Sequence, residues 1–173
     1  MGLMAGASIC GRGAVLGTRQ ILAVNLLTDV LPAVAVAIQP PGTSELRLIE
    51  RRGDEAFDSE LVRDVARRGA ATAAPALAAV LAAGALGVPA STVAFSSIIV
   101  TQLAQTLQMG RVQQTLSGSV ASAMAGSLAL LAVAVGVPPV RSFLGLAAPS
   151  PLALALVAAT APAATALAAR LGA

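Results

Sequence analysis

The sequence contains no His, no Lys, no Trp and no Tyr, and only one Cys and three Phe among 173 residues. Imidazole bases and lysine nucleophiles are thereby excluded, and with them most side-chain acid–base and Schiff-base chemistry. Cys10 has no second cysteine for an internal disulfide and no His with which to complete a zinc site, so it reads as a small buried residue. Charge is scarce as well, at 11% of residues against about 25% in soluble domains. The net charge of +3 and the pI near 11.0 do not make a nucleic-acid surface. Such a surface needs clustered basic residues and stacking aromatics, whereas here six of the eleven arginines share one segment with seven acids.

What the chain has in abundance is apolar surface: 57% of residues are hydrophobic and the mean hydropathy is +0.84. This is the composition of a membrane protein, and the lipid bilayer is its first partner. A helix crossing the ~30 Å hydrocarbon core needs about 20 apolar residues, so charge-free gaps locate the spans. From Gln20 to Ser44 the only charge is Asp29, and 69–110 carries none, which is room for two helices with a turn at Gly87, Val88 and Pro89. The stretches 112–140 and 142–169 are charge-free and hold one helix each. The spacing predicts an all-α polytopic membrane bundle of about five transmembrane helices, at 20–38, 69–87, 91–109, 119–137 and 151–169. Strands are disfavoured because the Ala/Leu/Val blocks do not alternate, and a membrane strand requires a closed, alternating barrel.

The segment "ELRLIERRGDEAFDSELVRDVARR", residues 45–68, holds seven of the eight acids and belongs in water. Its second half predicts a short amphipathic helix capped by Asp58, with Phe57, Leu61 and Val65 recurring every four residues and Asp64 placed to pair with Arg67 or Arg68. Short arginine-rich loops stay in the cytoplasm, which places the 39–68 loop inside. Alternation then puts Arg111 and Arg170 inside and Arg141 outside, so the C-terminus is cytoplasmic in a multi-pass protein of the cell membrane. Residues 1–19 are too short to span and have no charge before Arg12, unlike a signal peptide. They are expected to be the remnant of a preceding helix and an outside connector, leaving 20–38 as the first membrane helix and 69–173 as a four-helix bundle.

Within the first span, "NLLTDVLPAV" places Asn25, Thr28 and Asp29 at i, i+3 and i+4, on one face of a helix. Pro32 has no N–H, so the carbonyl of Thr28 loses its usual partner and the ring opens that turn. Oxygens of mixed charge at an opened helix suit a hard or alkali cation. Asn and Thr alone would equally serve as interhelical glue. Asp29 favours the cation, because a mid-span carboxylate costs about 2.5 to 3.5 kcal/mol and marks function by default. In "FSSIIVTQLAQTLQM", Ser97, Thr101, Gln102, Gln105 and Thr106 form a second polar patch; Gln102 can offer a neutral oxygen, as ligand or as glue. Gly118, Ser122 and Gly126 would allow close helix approach.

The stretch "GTRQILAVNLLTDVLPAVAVAIQPP", with its Q-x-L-x-x-N-L-x-T-D-x-x-P-A pattern, resembles the sixth transmembrane helix of P-type cation-transporting ATPases. In order, "ERRGDEAFDSELVRDVARRG" is similar to the loop before their seventh helix and "STVAFSSIIVTQLAQTLQMGR" to the eighth. "AVAVGVPPVRSFLGLAAPSPLALAL" is similar to the ninth helix, its outside loop and the start of the tenth. The resemblance runs from Gly17 to the C-terminus and implies the orientation that the arginines indicate. It also implies that Asn25, Thr28, Asp29 and Gln102 are positions contributing oxygens to the transported cation, whose identity it does not specify.

The pumps phosphorylate an aspartate in D-K-T-G-T and hold magnesium through G-D-G-x-N-D, and neither motif occurs here, nor does the P-E-G-L-P turn of the fourth helix. The resemblance therefore implies that ATP and magnesium bind on domains absent from these residues, that the chain carries no cofactor and does not hydrolyse ATP alone, and that a partner chain or an N-terminal portion supplies the rest. A stand-alone helical membrane protein with a structural or regulatory role, and a small independent transporter relaying a cation through Asp29, are the other expectations open to this sequence.

Overall fold

A computed structural model describes residues 16–30, 33–34, 59–112 and 117–171. Cys10, Pro32, Phe57 and Asp58 lie outside the described residues, and so does the greater part of the 39–68 loop. The described residues form α1 (Thr18–Asn25), a π-helical turn (Leu26–Val30), α2 (Ser59–Ala85), α3 (Ala90–Val112), α4 (Gly118–Gly136), α5 (Pro138–Phe143) and α6 (Pro151–Leu171), with no strand among them. The architecture is an all-α bundle. Among the described residues, four stretches are long and apolar enough to cross a membrane: Val65–Ala85, Ala90–Gln108, Gly118–Gly136 and Pro151–Leu171, of 19 to 21 residues each. At 1.5 Å per residue each is about 30 Å long, the thickness of the hydrocarbon core. The first expected span is described only through Val30 and at 33–34.

One difference from the sequence reading concerns the charged segment. The amphipathic helix and the second membrane helix are a single 27-residue helix from Ser59 to Ala85, so helical structure begins before the span expected at 69–87. Nothing between Ser59 and the apolar span breaks a helix, and Gly69 alone costs only about 1 kcal/mol, so the helix runs from water into the bilayer. Val62 and Val65 are 63% and 61% exposed, so their side of α2 is not packed into the bundle.

The bundle is organised on α2, α3 and α6, which pack against one another in all three pairings. Their junction is built from small side chains: Ala71, Ala76, Ala79, Ala83, Ala153 and Ala164 are all buried. Lipid tails are as apolar as these residues, so close van der Waals contact rather than exclusion of water holds such helices together. Phe95, Ile99, Val80 and Val93, each under 2% exposed, fill the space that the alanines leave. α4 packs beside α3, and both reach the π-helical turn.

Two glycine corners set the helix order. Gly87 ends α2 at φ 68°, and Val88 N–H donates to the carbonyl of Ala83 at 2.8 Å, the Schellman closure. Gly145 repeats it after α5 at φ 68°, with Leu146 N–H on the Arg141 carbonyl and Gly145 N–H on that of Ser142. A Cβ at Gly87 would meet nothing within 4 Å, so Gly87→Ala is strained through its backbone alone. The expected loss is about 1 kcal/mol, read as a lowered midpoint in thermal unfolding of the detergent-solubilised chain.

The segment after α5 is tied to two other helices. Gln20 Nε2 donates to the carbonyls of Leu144 at 2.9 Å and Gly145 at 3.4 Å, while its Oε1 accepts from Gly17 N–H at 3.0 Å and so caps α1. Arg19 Nη1 donates to the Phe143 carbonyl at 3.1 Å, with its guanidinium 4.9 Å from the centre of the Phe143 ring. On the α3 side, the Thr92 hydroxyl lies 3.0 Å from both the amide nitrogen and the carbonyl oxygen of Ala147. Thr92→Val would leave both backbone groups without that partner, at a cost of about 1 to 3 kcal/mol. Faster hydrogen exchange at the Ala147 amide, with α6 unchanged, is the expected signature.

Candidate functional site

The polar turn sits where α1 stops being an α-helix. Between Leu26 and Val30 the backbone widens to π geometry, a feature found mostly as single turns inside α-helices and frequent at functional sites. Pro32, without an N–H, can serve neither a four-residue bond from Thr28 nor a five-residue bond from Leu27, so both carbonyls lose a partner at that position by covalent structure alone. The Thr28 hydroxyl adds to the opening: it lies 2.9 Å from the Val24 carbonyl, the back-bond that bends helices. It is also 3.0 Å from Asp29 Oδ1, so one hydroxyl proton is shared between a carbonyl and a carboxylate.

The three polar residues of this turn do not share one environment. Thr28 is buried at 8% exposure, whereas Asn25 and Asp29 are exposed. They share their exposure with Leu22, Leu26 and Val30 at 64%, 50% and 48%, an apolar series recurring every four residues along the same element. The other side of the element carries Gln20, Val24 and Leu27, which are buried. The bundle thus covers half of this helix and leaves uncovered the half that holds the carboxylate.

Gln102 comes from α3, which packs against the π-helical turn. Its Oε1 is buried with no hydrogen-bond partner among the described residues. The Ser97 hydroxyl and Gln105 Nε2 share that condition, although the Thr72 hydroxyl donates to Gln105 Oε1. A buried amide oxygen without a donor is costly, and a cation or water is the kind of group that satisfies it. No group of three or more His, Cys, Asp or Glu side chains able to hold a metal exists among the described residues. The polar turn itself carries one carboxylate, one hydroxyl, the Asn25 amide oxygen and backbone carbonyls, the oxygen types that hard cations take.

Ser127 is the residue that sequence reasoning does not find. It is 0% exposed in α4, and its hydroxyl donates to the carbonyl of Leu27 at 2.7 Å, across 100 residues of chain. A hydroxyl in the middle of an apolar span was its one visible signal, and nothing in the sequence links it to Leu27.

Comparison with known proteins gives this arrangement a family. The profile described as "Cation transporting ATPase, C-terminus" matches residues 13–170. The chain belongs to the C-terminal family of cation-transporting ATPases. "Probable cation-transporting ATPase I" of Mycobacterium leprae (strain TN) is 33% identical over an alignment covering 84% of this chain. The protein of the same name from Mycobacterium tuberculosis (strain CDC 1551 / Oshkosh) is 32% identical over 83% of it. The aligned part makes up 10% of either relative, so this cation-ATPase membrane region corresponds to a small part of much longer proteins. No solved structure matches it significantly.

Proposed function

We propose that this chain supplies the C-terminal membrane helices of an ATP-driven cation pump and one half of its ion site, without pumping alone. The observation that carries the reading is the uncovered carboxylate: Asp29, hydrogen-bonded to Thr28 at 3.0 Å, is exposed at the level of the membrane helices together with Asn25. A charge facing hydrocarbon is expensive, and it is retained where a cation, water or facing polar helices compensate it. The ligands on this side are Asp29, the Thr28 hydroxyl and Asn25, with Gln102 offering its neutral oxygen from α3.

The remaining oxygens come from helices outside these residues, on a partner chain or on another portion of the same polypeptide. ATP and magnesium belong to that part too, since this sequence has neither a D-K-T-G-T nor a G-D-G-x-N-D motif. Arginine placement supports an orientation with the charged loop and the C-terminus in the cytoplasm.

Reconstituting the chain with the portion that bears the phosphorylation motif tests this reading. Phosphoenzyme formation from ATP is expected to depend on a cation only when both are present. Identical cation dependence without this chain would reject it as part of the site and leave a structural or regulatory role.

A further inference from the structure

The bond from Ser127 to Leu27 deepens the reading above and rests on it. Three observations bear on it. The π-helical turn spans Leu26–Val30, so within that register the Leu27 carbonyl looks five residues ahead, to Pro32, which has no proton to give. The acceptor is buried, with Leu27 at 5% exposure, so water cannot replace the missing donor at no cost. The donor is Ser127, 0% exposed, which reaches it from a different helix at 2.7 Å, the short end of hydroxyl hydrogen bonds.

We infer that Ser127 is a positioning residue for the cation site: its hydroxyl takes up the Leu27 carbonyl that the widened turn leaves without a partner, and so holds Thr28 and Asp29 in their opened geometry. In a regular α-helix the same carbonyl would bond the amide of residue 31, and the turn would close by one residue. A donor from α4 removes the gain from closing. It acts on the next two residues through the backbone: Leu27 is pinned to α4, and Thr28 and Asp29 follow it directly in sequence. By contrast, the Ser122 hydroxyl donates to the Ser119 carbonyl within its own helix, at 2.9 Å.

The test uses the full chain in lipid nanodiscs, comparing wild type with Ser127→Ala, Ser127→Cys and Ser127→Thr. Hydrogen exchange at the amides of Leu26 to Val30 is expected to rise about tenfold in Ser127→Ala and nearly as much in Ser127→Cys, which keeps the volume but only a weak donor. Ser127→Thr, which keeps the hydroxyl, should restore the wild-type rate, with the amides of α2, α3 and α6 unchanged in all three. Unchanged exchange in Ser127→Ala, or a change spread over the whole bundle that Ser127→Thr fails to rescue, overturns the inference.

A second arm, run on the chain reconstituted with the portion that bears the phosphorylation motif, titrates Mn2+ against the infrared band of the Asp29 carboxylate, identified by its loss in Asp29→Asn. The half-saturating concentration should be about tenfold higher in Ser127→Ala and restored in Ser127→Thr. An Mn2+ response equal in wild type and Ser127→Ala also overturns the positioning role. No response in the wild type, with the exchange effect present, counts against this chain binding a cation and supports the hydroxyl's hold on the turn, so the two readings fail separately.

Discussion

Asp29→Asn should abolish cation-dependent phosphoenzyme formation in the reconstituted complex, lowering apparent cation affinity by at least about 100-fold. The estimate starts from second-shell partners, whose loss costs 10- to 100-fold in metal affinity, and a formally charged ligand contributes more than those. Asp29 is also the only acid between Gln20 and Ser44, so no neighbour on its helix replaces the charge. The change is close to isosteric and keeps an oxygen near Thr28, so the turn should survive while its attraction for a cation does not. Expression and membrane insertion should stay level or improve, since a neutral side chain is cheaper in lipid. The check is phosphoenzyme yield against cation concentration, with inserted protein quantified alongside. An affinity within threefold of wild type would remove Asp29 from the site.

Phe95→Ala should be the most damaging single change to the fold itself. Among the described residues Phe95 is the largest fully buried side chain, at 0% exposure, and packs in the principal apolar cluster with Ile99, Val80 and Leu27. In a soluble protein such a truncation costs 3 to 5 kcal/mol, part of it the transfer of apolar surface out of water. Here the competing medium is lipid, so the transfer part is small and the cavity part dominates. A void of about 100 Å3 at ~24 cal/mol per Å3 gives about 2.4 kcal/mol. Phe95→Leu, which leaves a smaller void, should lose less than about 1.5 kcal/mol. Unfolding in mixed micelles measures both, and equal stabilities for the two variants would mean that the site collapses around the smaller side chain.

Where the helices lie was legible because the bilayer simplifies the problem. A span must satisfy its own backbone and bring almost no charge, so arginine and acid positions alone bracket the membrane stretches. One end was read from local chemistry, the corner after α2 at Gly87 and Pro89; the short α5 beginning at Pro138 was not anticipated, nor was Ser150, whose hydroxyl accepts from Ala153 N–H at 3.1 Å and caps α6. What was not legible in α2 was its unbroken run from the charged segment into the span, because charge shows where lipid stops and a helix need not stop there. The continuous helix from Ser59 follows from propensity, to which charge-gap counting is blind.

The candidate site divides along the same line. That Asn25, Thr28 and Asp29 lie on one element, with a proline three residues beyond Asp29, is a property of the sequence, and so is the shortage of other acids nearby. Which of them the bundle covers is not. Helical spacing places Thr28 and Asp29 on adjoining positions, yet one is buried and the other exposed, because α3 and α4 pack on one side of the turn and no described helix packs on the other.

By itself, then, the sequence determined the membrane setting, the order of spans in the described region, the polar turn and the lack of His and Lys side chains. Each of these depends on residue type and on separations of a few positions along the chain. Only the tertiary structure decided that Ser127 holds the Leu27 carbonyl, that Gln20 and Thr92 fasten the segment after α5, and that the carboxylate faces outward. Those contacts join residues 55 to 125 positions apart, and the partners are single hydroxyls, amides and backbone carbonyls, groups common enough that no local pattern selects one pairing over another.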